Sequence, residues 1–464
     1  MKRIWNRAII GAVLGVGLAL SAPLRAETLP DALIAAYRNS NLLEQNRALL
    51  RVRDEDVASA VAALRPVVDF VARASYTYTE FLRPVGGVLR TGVNDGTRSS
   101  LGLTVDLMLY DGGATEYRIA AAKELVLATR QALIDVEHRV LLSAVAAYMD
   151  VKLQIETVAL RQSNVRVIER ELSAARDRFE LGEITRTDVA IAEARLAGAR
   201  ANLSAAEGDL AVARETYKLA IGHYPQRLAA APALPRTADN VAQARDVARR
   251  THHAIKQAQH EVAAAELEML RAAAVMRPRV GIGANLGIAD SGLQNHSLSL
   301  TMSKRLYQGG AMSAAYRQAM ARRDAGRAGL HQRVAEVDQA VGDSWARLAV
   351  ARARIEASER QIRAARTAYE GVREEATLGA RTTLDVLNAE QELLDAQAQR
   401  LQAVTAQYTA TYALLSSMGL LTVEHLRLGI PTYDPAAYHN AVRNAPATSS
   451  QGARLDRVLR AIGN

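Results

Sequence analysis

From Ala114 to Leu181 the chain contains neither glycine nor proline. This run restricts the fold more than any other feature, because those two residues are the usual interrupters of helix. Along it Leu133, Val136, Val140, Ala144, Tyr148, Val151, Ile155 and Val158 recur every three or four positions, an apolar seam of the coiled-coil kind. A helix over Ala114–Glu180 would reach ~100 Å, far beyond the width of a small domain. Aromatic residues are only 4% of the chain, with three Phe and two Trp. That is little bulk for a large globular core, to which aromatics contribute much of the buried area. Sequence rich in Ala, Leu, Glu and Arg instead suits long helices lying closely side by side.

Gly182 ends the run with a reversal, since glycine enters the left-handed region at little cost. A second helix is expected from about Thr187 to Ile221, stopping at Gly222-His223-Tyr224-Pro225. After a Pro- and Ala-rich linker to Arg236, a third is expected to Met276, and an earlier one over Asp31–Leu64. The plan is then written again. LGEITRTDV begins at Leu181 and LGARTTLDV at Leu378, an offset of 197 positions (181 to 378). The same offset brings Tyr110-Asp111-Gly112-Gly113 onto Tyr307-Gln308-Gly309-Gly310, and Glu193 onto Glu390. Upstream, Arg65-Pro66 answers Arg277-Pro278 at an offset of 212 (65 to 277), so the first copy carries about 15 extra residues before its Gly pair. The repeats are read as 27–236 and 237–421, with helical turns at 181–188 and 378–385 around Gly182 and Gly379. Gly112, Gly113, Gly309 and Gly310 serve as the strand-to-helix turns.

Each repeat also holds a strand pair, over about 67–110 and 279–307. Leu101, Leu103, Val105, Leu107 and Leu109 alternate with Gly102, Thr104, Asp106 and Met108, the two-residue period of a strand with one apolar face. Val68, Phe70, Ala72, Ala74, Tyr76 and Tyr78 form the matching face. The second copy supplies Val280, Ile282, Ala284, Leu286 and Ile288, then Leu298, Leu300 and Met302. Between the first two strands, RPVGGVLRTGVNDGT reads as a loop with turn chemistry. Strands of roughly ten residues, apolar on one face, are long enough to cross a bilayer tilted in a barrel. A small soluble sheet packed on the helices is the other reading. Four strands cannot close a membrane barrel, so spanning strands would need other subunits, and three subunits would give twelve.

Residues 1–26 read as a secretory signal peptide: Lys2, Arg3 and Arg7, an apolar run to about Ala22, and small residues before Ala26. The run is too short to span a membrane as a helix. The chain has no cysteine, which excludes disulfides, thiolate metal sites and a Cys nucleophile. The net charge of +9 is interleaved with acidic residues along helical stretches, which describes a solvated surface rather than a nucleic-acid site. His223, His252 and His253 lack metal-ligand spacing, and there is no catalytic triad elbow or phosphate loop. No catalytic residue, cofactor or metal is expected.

On these motifs the chain resembles the TolC family of outer-membrane channel proteins. The likeness rests on TLPDALIAAYRNSNLL at the mature start, the paired Leu-Tyr-x-Gly-Gly motifs and the paired Leu-Gly-x-x-Thr-x-x-Asp turns. It implies a mostly α, α+β fold: a long α-helical coiled-coil barrel joined to a transmembrane β-barrel with four strands per subunit, internally duplicated and trimeric. It implies a homotrimer in outer-membrane lipid, with a long periplasmic extension. Its partners would be a periplasmic adaptor (membrane fusion) protein and an inner-membrane transporter, either ABC or proton-driven. Such a duct serves type I protein secretion or tripartite efflux; a periplasmic adaptor or coiled-coil scaffold is the alternative. The resemblance further implies a periplasmic gate at Thr187, Asp188, Arg381 and Asp385. There an Arg can bridge to a neighbouring hairpin, and an Asp385 ring would favour cations. Helix N-capping is an equal reading of both Asp residues. The chain departs from some members at Ala376, where a linking Tyr can occur, and at Asn388, where a second acidic ring can occur. The segment 422–464, expected to be a partly disordered tail, contains YDPAAYHNAVRNAP from Tyr433, similar to type I secretion members.

Overall fold

The structure is a computed structural model that describes residues 26–446 apart from 291 and 293, together with 453, 454, 457 and 458. The signal peptide expected over 1–26 lies outside the described residues except for Ala26, as does most of the tail beyond 446. The element order is α1 Leu29–Asn39, α2 Asn41–Ala62, β1 Val67–Val85, β2 Val88–Tyr110, α3 Ala114–Glu180, α4 Arg186–Ile221, α5 Val241–Thr251, α6 His253–Ala274, β3 Arg279–Ala289, β4 Gln294–Ser303, α7 Ala311–Thr377, α8 Thr383–Ser417 and α9 Pro435–Val442. The uninterrupted run from Ala114 is a single helix of 67 residues, and its repeat α7 has the same length. No described helix is long and apolar enough to cross a membrane.

The chain divides into two compact units that cut across the two repeats. One takes in the described residues up to Ser40, Val140–Thr237 and Ser344–Leu414; the other Asn41–Arg139, Ala238–Asp343 and the residues from Leu415 onward. In the first unit Val165, Ile168 and Leu172 of α3 interlock with Ala192, Leu196 and Ala199 of α4 and with Leu387 of α8. The three-and-four spacing of these residues puts them on facing stripes, and the alanines let the helices approach closely. In the same unit Tyr148 is fully buried and donates to the carbonyls of Glu27 and Ala229, each at 3.1 Å, which ties the start of the described chain to the linker after α4.

Within the second unit the four strands form one antiparallel sheet in the order β1-β2-β3-β4. The register places the apolar sets of all four strands on one face: Phe70 opposite Leu103, Leu103 opposite Leu286, and Ala284 opposite Leu298. The other face carries Gly102, Thr104, Gly281, Gly283 and Thr301. On the helical side Leu50, Val57 and Val126 form a small core. The C-terminal segment docks α9 on α2, where Tyr438 donates to Glu55 at 2.7 Å and His439 Nδ1 lies 2.8 Å from the buried Asp54 carboxylate.

Three expectations require correction. The loop expected between the first strands is strand: β1 and β2 have 19 and 23 residues, against 11 and 10 for β3 and β4. Gly86 and Gly87, at φ 61° and 86°, make the whole turn, the two-residue hairpin that requires positive φ at both positions. Asn94, Asp95 and Gly96 sit inside β2, opposite Thr79, Tyr78 and Thr77. The helix expected over Asp31–Leu64 is broken at Ser40, which is extended (ψ 107°). The helix expected up to Met276 is broken at His252 (ψ 123°), which closes α5 and caps α6 through its ring. Gly419 packs directly against the His252 backbone there, where a Cβ would come within 2.8 Å.

Candidate functional site

Both helical turns use the same local solution. At the end of α3, Gly182 has φ 77°, its N–H bonds to Phe179 O at 2.9 Å and the Glu183 N–H bonds to Arg178 O at 2.9 Å. At the end of α7, Gly379 has φ 79°, with N–H bonds from Gly379 to Ala376 O (3.2 Å) and from Ala380 to Glu375 O (2.9 Å). These are left-handed C-terminal closures that satisfy the otherwise orphan carbonyls. Each following helix opens with a reciprocal capping box. Thr185 Oγ1 accepts from Asp188 N–H, while Asp188 Oδ2 accepts from Thr185 N–H (3.0 Å) and its hydroxyl (2.7 Å). Thr382 and Asp385 repeat the pattern at 3.0 and 2.9 Å.

The capping residues are therefore Thr185 and Thr382, with the aspartates three positions in. Hydrogen bonds from the Thr185 hydroxyl and N–H hold the Asp188 carboxyl below the usual carboxylate range. The Thr382 N–H and hydroxyl do the same for Asp385. Both stay ionised at neutral pH, beside helix N-termini that favour negative charge. Thr187 is exposed.

The two turns differ in charge. In the first, Arg178 at the end of α3 reaches Glu183 in the turn at 3.1 Å. In the second, Glu375 occupies the place of Arg178, and Arg381 in the turn reaches it at 2.8 Å. The structure thus places the Arg381 guanidinium on a carboxylate of its own turn, which raises its pKa further.

Two contacts that sequence reasoning missed join the hairpins within the first unit. Asn164 Nδ2 of α3 donates to Glu390 Oε1 of α8 at 2.6 Å, and this pair is buried. Desolvation pushes the Glu390 carboxyl up, more than the amide lowers it. Arg195 of α4 donates to Asn388 Oδ1 at 2.9 Å. The position that departs from the expected acidic ring is thereby a link between hairpins. Glu390 was visible as the counterpart of Glu193, but nothing in its spacing pointed to a buried amide partner. Ala376, the other departure, is buried.

At the strand-to-helix turns, Gly112, Gly113, Gly309 and Gly310 all have positive φ. Asp111 accepts from Gly113 N–H (3.0 Å) and Thr115 N–H (2.7 Å), capping α3, and Arg277 donates to Gly112 O at 2.9 Å. A Cβ on Gly112 would come within 2.6 Å of Arg277 Cβ. His252 and His253 gather with His138 in the second unit, the ring centroids lying 6.5 and 5.2 Å from that of His138. Burial holds His138 and His253 near pKa 4. No cluster of metal-binding type occurs among the described residues.

This architecture has relatives. The model of the family described as "Outer membrane efflux protein" matches residues 33–223 and 244–420, one segment in each repeat. The chain is 34% identical over 446 residues to the outer membrane efflux protein BepC of Brucella suis biovar 1, covering 94% of this chain and 95% of that one. It is 27% identical over 348 residues to the alkaline protease secretion protein AprF of Pseudomonas aeruginosa, covering 72% of each. The crystal structure of the CmeC outer membrane channel of Campylobacter jejuni shares the fold at a TM-score of 0.73 and 13% identity, over 92% of this chain and 94% of that one. With both repeats matched and a relative similar over nearly its full length, this chain belongs to the outer membrane efflux protein family, channel proteins of the outer membrane.

Proposed function

We propose that three copies of the chain form an exit duct, closed by β strands in the outer membrane and gated at the helical turns of α3–α4 and α7–α8. One observation carries the reading. The sheet gathers the apolar residues of four strands on a single face, and among the described residues β1 and β4 have one strand neighbour each. Bare edges are untenable in lipid. Joining β4 of one copy to β1 of the next removes every edge and gives a closed twelve-stranded antiparallel barrel, an even count above the minimum of about 8.

The turns support the gate. They present ionised Asp188 in one turn and ionised Asp385 beside Arg381 in the other, and charges of this kind set ion preference where symmetry gathers them into rings. A periplasmic adaptor docking at the turns would compete for the Arg381–Glu375 pair and open the constriction, and an inner-membrane transporter would supply the cargo. The similarity to AprF, named for protease secretion, and the segment from Tyr433 favour type I protein export over small-molecule efflux.

The test is single-channel conductance of the purified protein in planar bilayers. A small, cation-preferring conductance should rise in Arg381→Ala and lose its preference in Asp385→Ala. A protein that inserts and conducts identically in all three forms would place the constriction elsewhere; a soluble monomer that never inserts would end the channel reading.

A further inference from the structure

The extension of the first strand pair is a built feature with its own charge pattern. β3 ends at Ala289, three pairs beyond the Phe70–Leu103–Leu286 row, and among the described residues β1 and β2 pair only with each other from Arg98 upward. That free ribbon is regular. Its register runs without a shift from Val67 opposite Asp106 to Val85 opposite Val88, so each face of the sheet continues into the ribbon unchanged.

The two faces carry opposite charges. On the continuation of the apolar face lie Glu80 and Asp95, engaged by Tyr78 (2.8 Å) and Tyr76 (3.2 Å). On the continuation of the glycine-rich polar face lie three arginines, with a fourth, Arg73, on the last row that β3 also pairs. Arg83 stands directly opposite Arg90, Arg98 is opposite Ser75, and Arg73 is opposite Ser100, which makes it the diagonal neighbour of Arg98. All four are exposed. Among the described residues none of them has an ion pair or a side-chain hydrogen bond. Like charges placed directly across a strand pair cost stability. Here the cost is taken at the hairpin end, with the ribbon's two carboxylates held on the far side. Lower on the same polar face the charge is mixed, with Asp69 and Asp106 at the base of the strands beside Arg279.

We propose that this arginine ladder is a charge filter at the outer mouth of the duct, favouring passage of cargo that bears carboxylate or phosphate groups. The inference rests on the barrel reading given above, which turns the glycine-rich face inward. Three copies would then set twelve guanidinium groups around the exit. A guanidinium fork matches carboxylate and phosphate geometry and keeps its charge at any physiological pH. Rings of Arg select anions where rings of Asp select cations. The mouth of the barrel would therefore hold a positive field that its base, with both signs present, does not.

The experiment measures reversal potentials of the full-length protein in planar bilayers under a KCl gradient. Arg83→Gln/Arg90→Gln/Arg98→Gln should shift the reversal potential toward the potassium equilibrium value. Glu80→Gln/Asp95→Asn, on the opposite face, should leave it unchanged. In the wild-type protein, inorganic tripolyphosphate added on the ribbon side should reduce the current, an effect that disappears at high salt and needs no variant to fold. Equal reversal potentials in wild type and the arginine variant, or no one-sided block by tripolyphosphate, would overturn the filter while leaving the channel intact. Absence of any conductance in the wild-type protein would overturn the channel reading and the filter with it.

Discussion

The turn after α3 and the turn after α7 have almost the same backbone and opposite charge logic. Each closes with a left-handed glycine and restarts with a Thr–Asp capping box. The outgoing helix, however, carries Arg178 in its last turn in one and Glu375 in the other, so the local ion pair runs in opposite directions. Duplication preserved what the chain needs in order to reverse direction, because those positions are dictated by backbone hydrogen bonds. It let the exposed charges drift apart, because exposed pairs contribute little to stability. What is shared is therefore architecture, and what differs is available for function.

The largest expected effect breaks the symmetry at its most buried point. Leu387, next to the second turn, enters the core of the first hairpin. Leu387→Ala should destabilise the first unit by about 2–4 kcal/mol, the usual cost of a cavity of this kind, read as a lower denaturant midpoint. A loss no greater than that of an exposed Leu→Ala change would show that the hairpins are held by their polar links instead.

A smaller effect tests whether the turns are equivalent. Thr185→Ala and Thr382→Ala each remove one side of a capping box and should each cost about 1 kcal/mol, measured by thermal unfolding monitored at 222 nm. Equal losses would support a shared architecture; a clear inequality would mean that contacts beyond the box hold one turn.

The smallest effect lies in acid. Folded-state pKa values depressed below the unfolded carboxylate value mean that the stabilising contribution of Asp188 and Asp385 is present above about pH 4. It is lost as pH falls through the folded values. His138 and His253, held near pKa 4 from an ordinary 6.5, act in a different window. Their unfolded forms take up protons first, so stability in the second unit declines as pH drops from about 6.5 to 4. Asp188→Asn/Asp385→Asn should flatten only the lower part of the pH–stability curve, and His138→Asn/His253→Gln only the upper part. A single change that flattens both would refute the separation.

Much of this was legible in the sequence where one physical requirement dominates. The helix from Ala114 was visible because nothing in it breaks helix, and the sheet because alternation fixes which face is apolar. The matching turns were visible because only glycine suits their left-handed positions. The ribbon above the sheet was hidden by its own composition: Asn94, Asp95 and Gly96 carry turn chemistry, and only pairing with Thr79, Tyr78 and Thr77 makes them strand. The breaks at Ser40 and His252 were hidden because neither residue is a strong helix breaker; packing selects the extended backbone. The Asn164–Glu390 pair joins residues 226 positions apart, and no local pattern reports a contact of that range. The charge inversion between the turns, by contrast, is written plainly at Arg178, Glu183, Glu375 and Arg381, and needed only the geometry to give it meaning.

In the trimer proposed above, the capping-box turns would number six, and their backbones alone would suggest a ring with sixfold repetition. The inverted ion pairs forbid it. Turns with Arg in the loop and turns with Glu in the loop must alternate, so a protein approaching the ring meets three sites of each kind. A partner assembled from three units can recognise one set and ignore the other; a partner assembled from six must use two different modes of engagement.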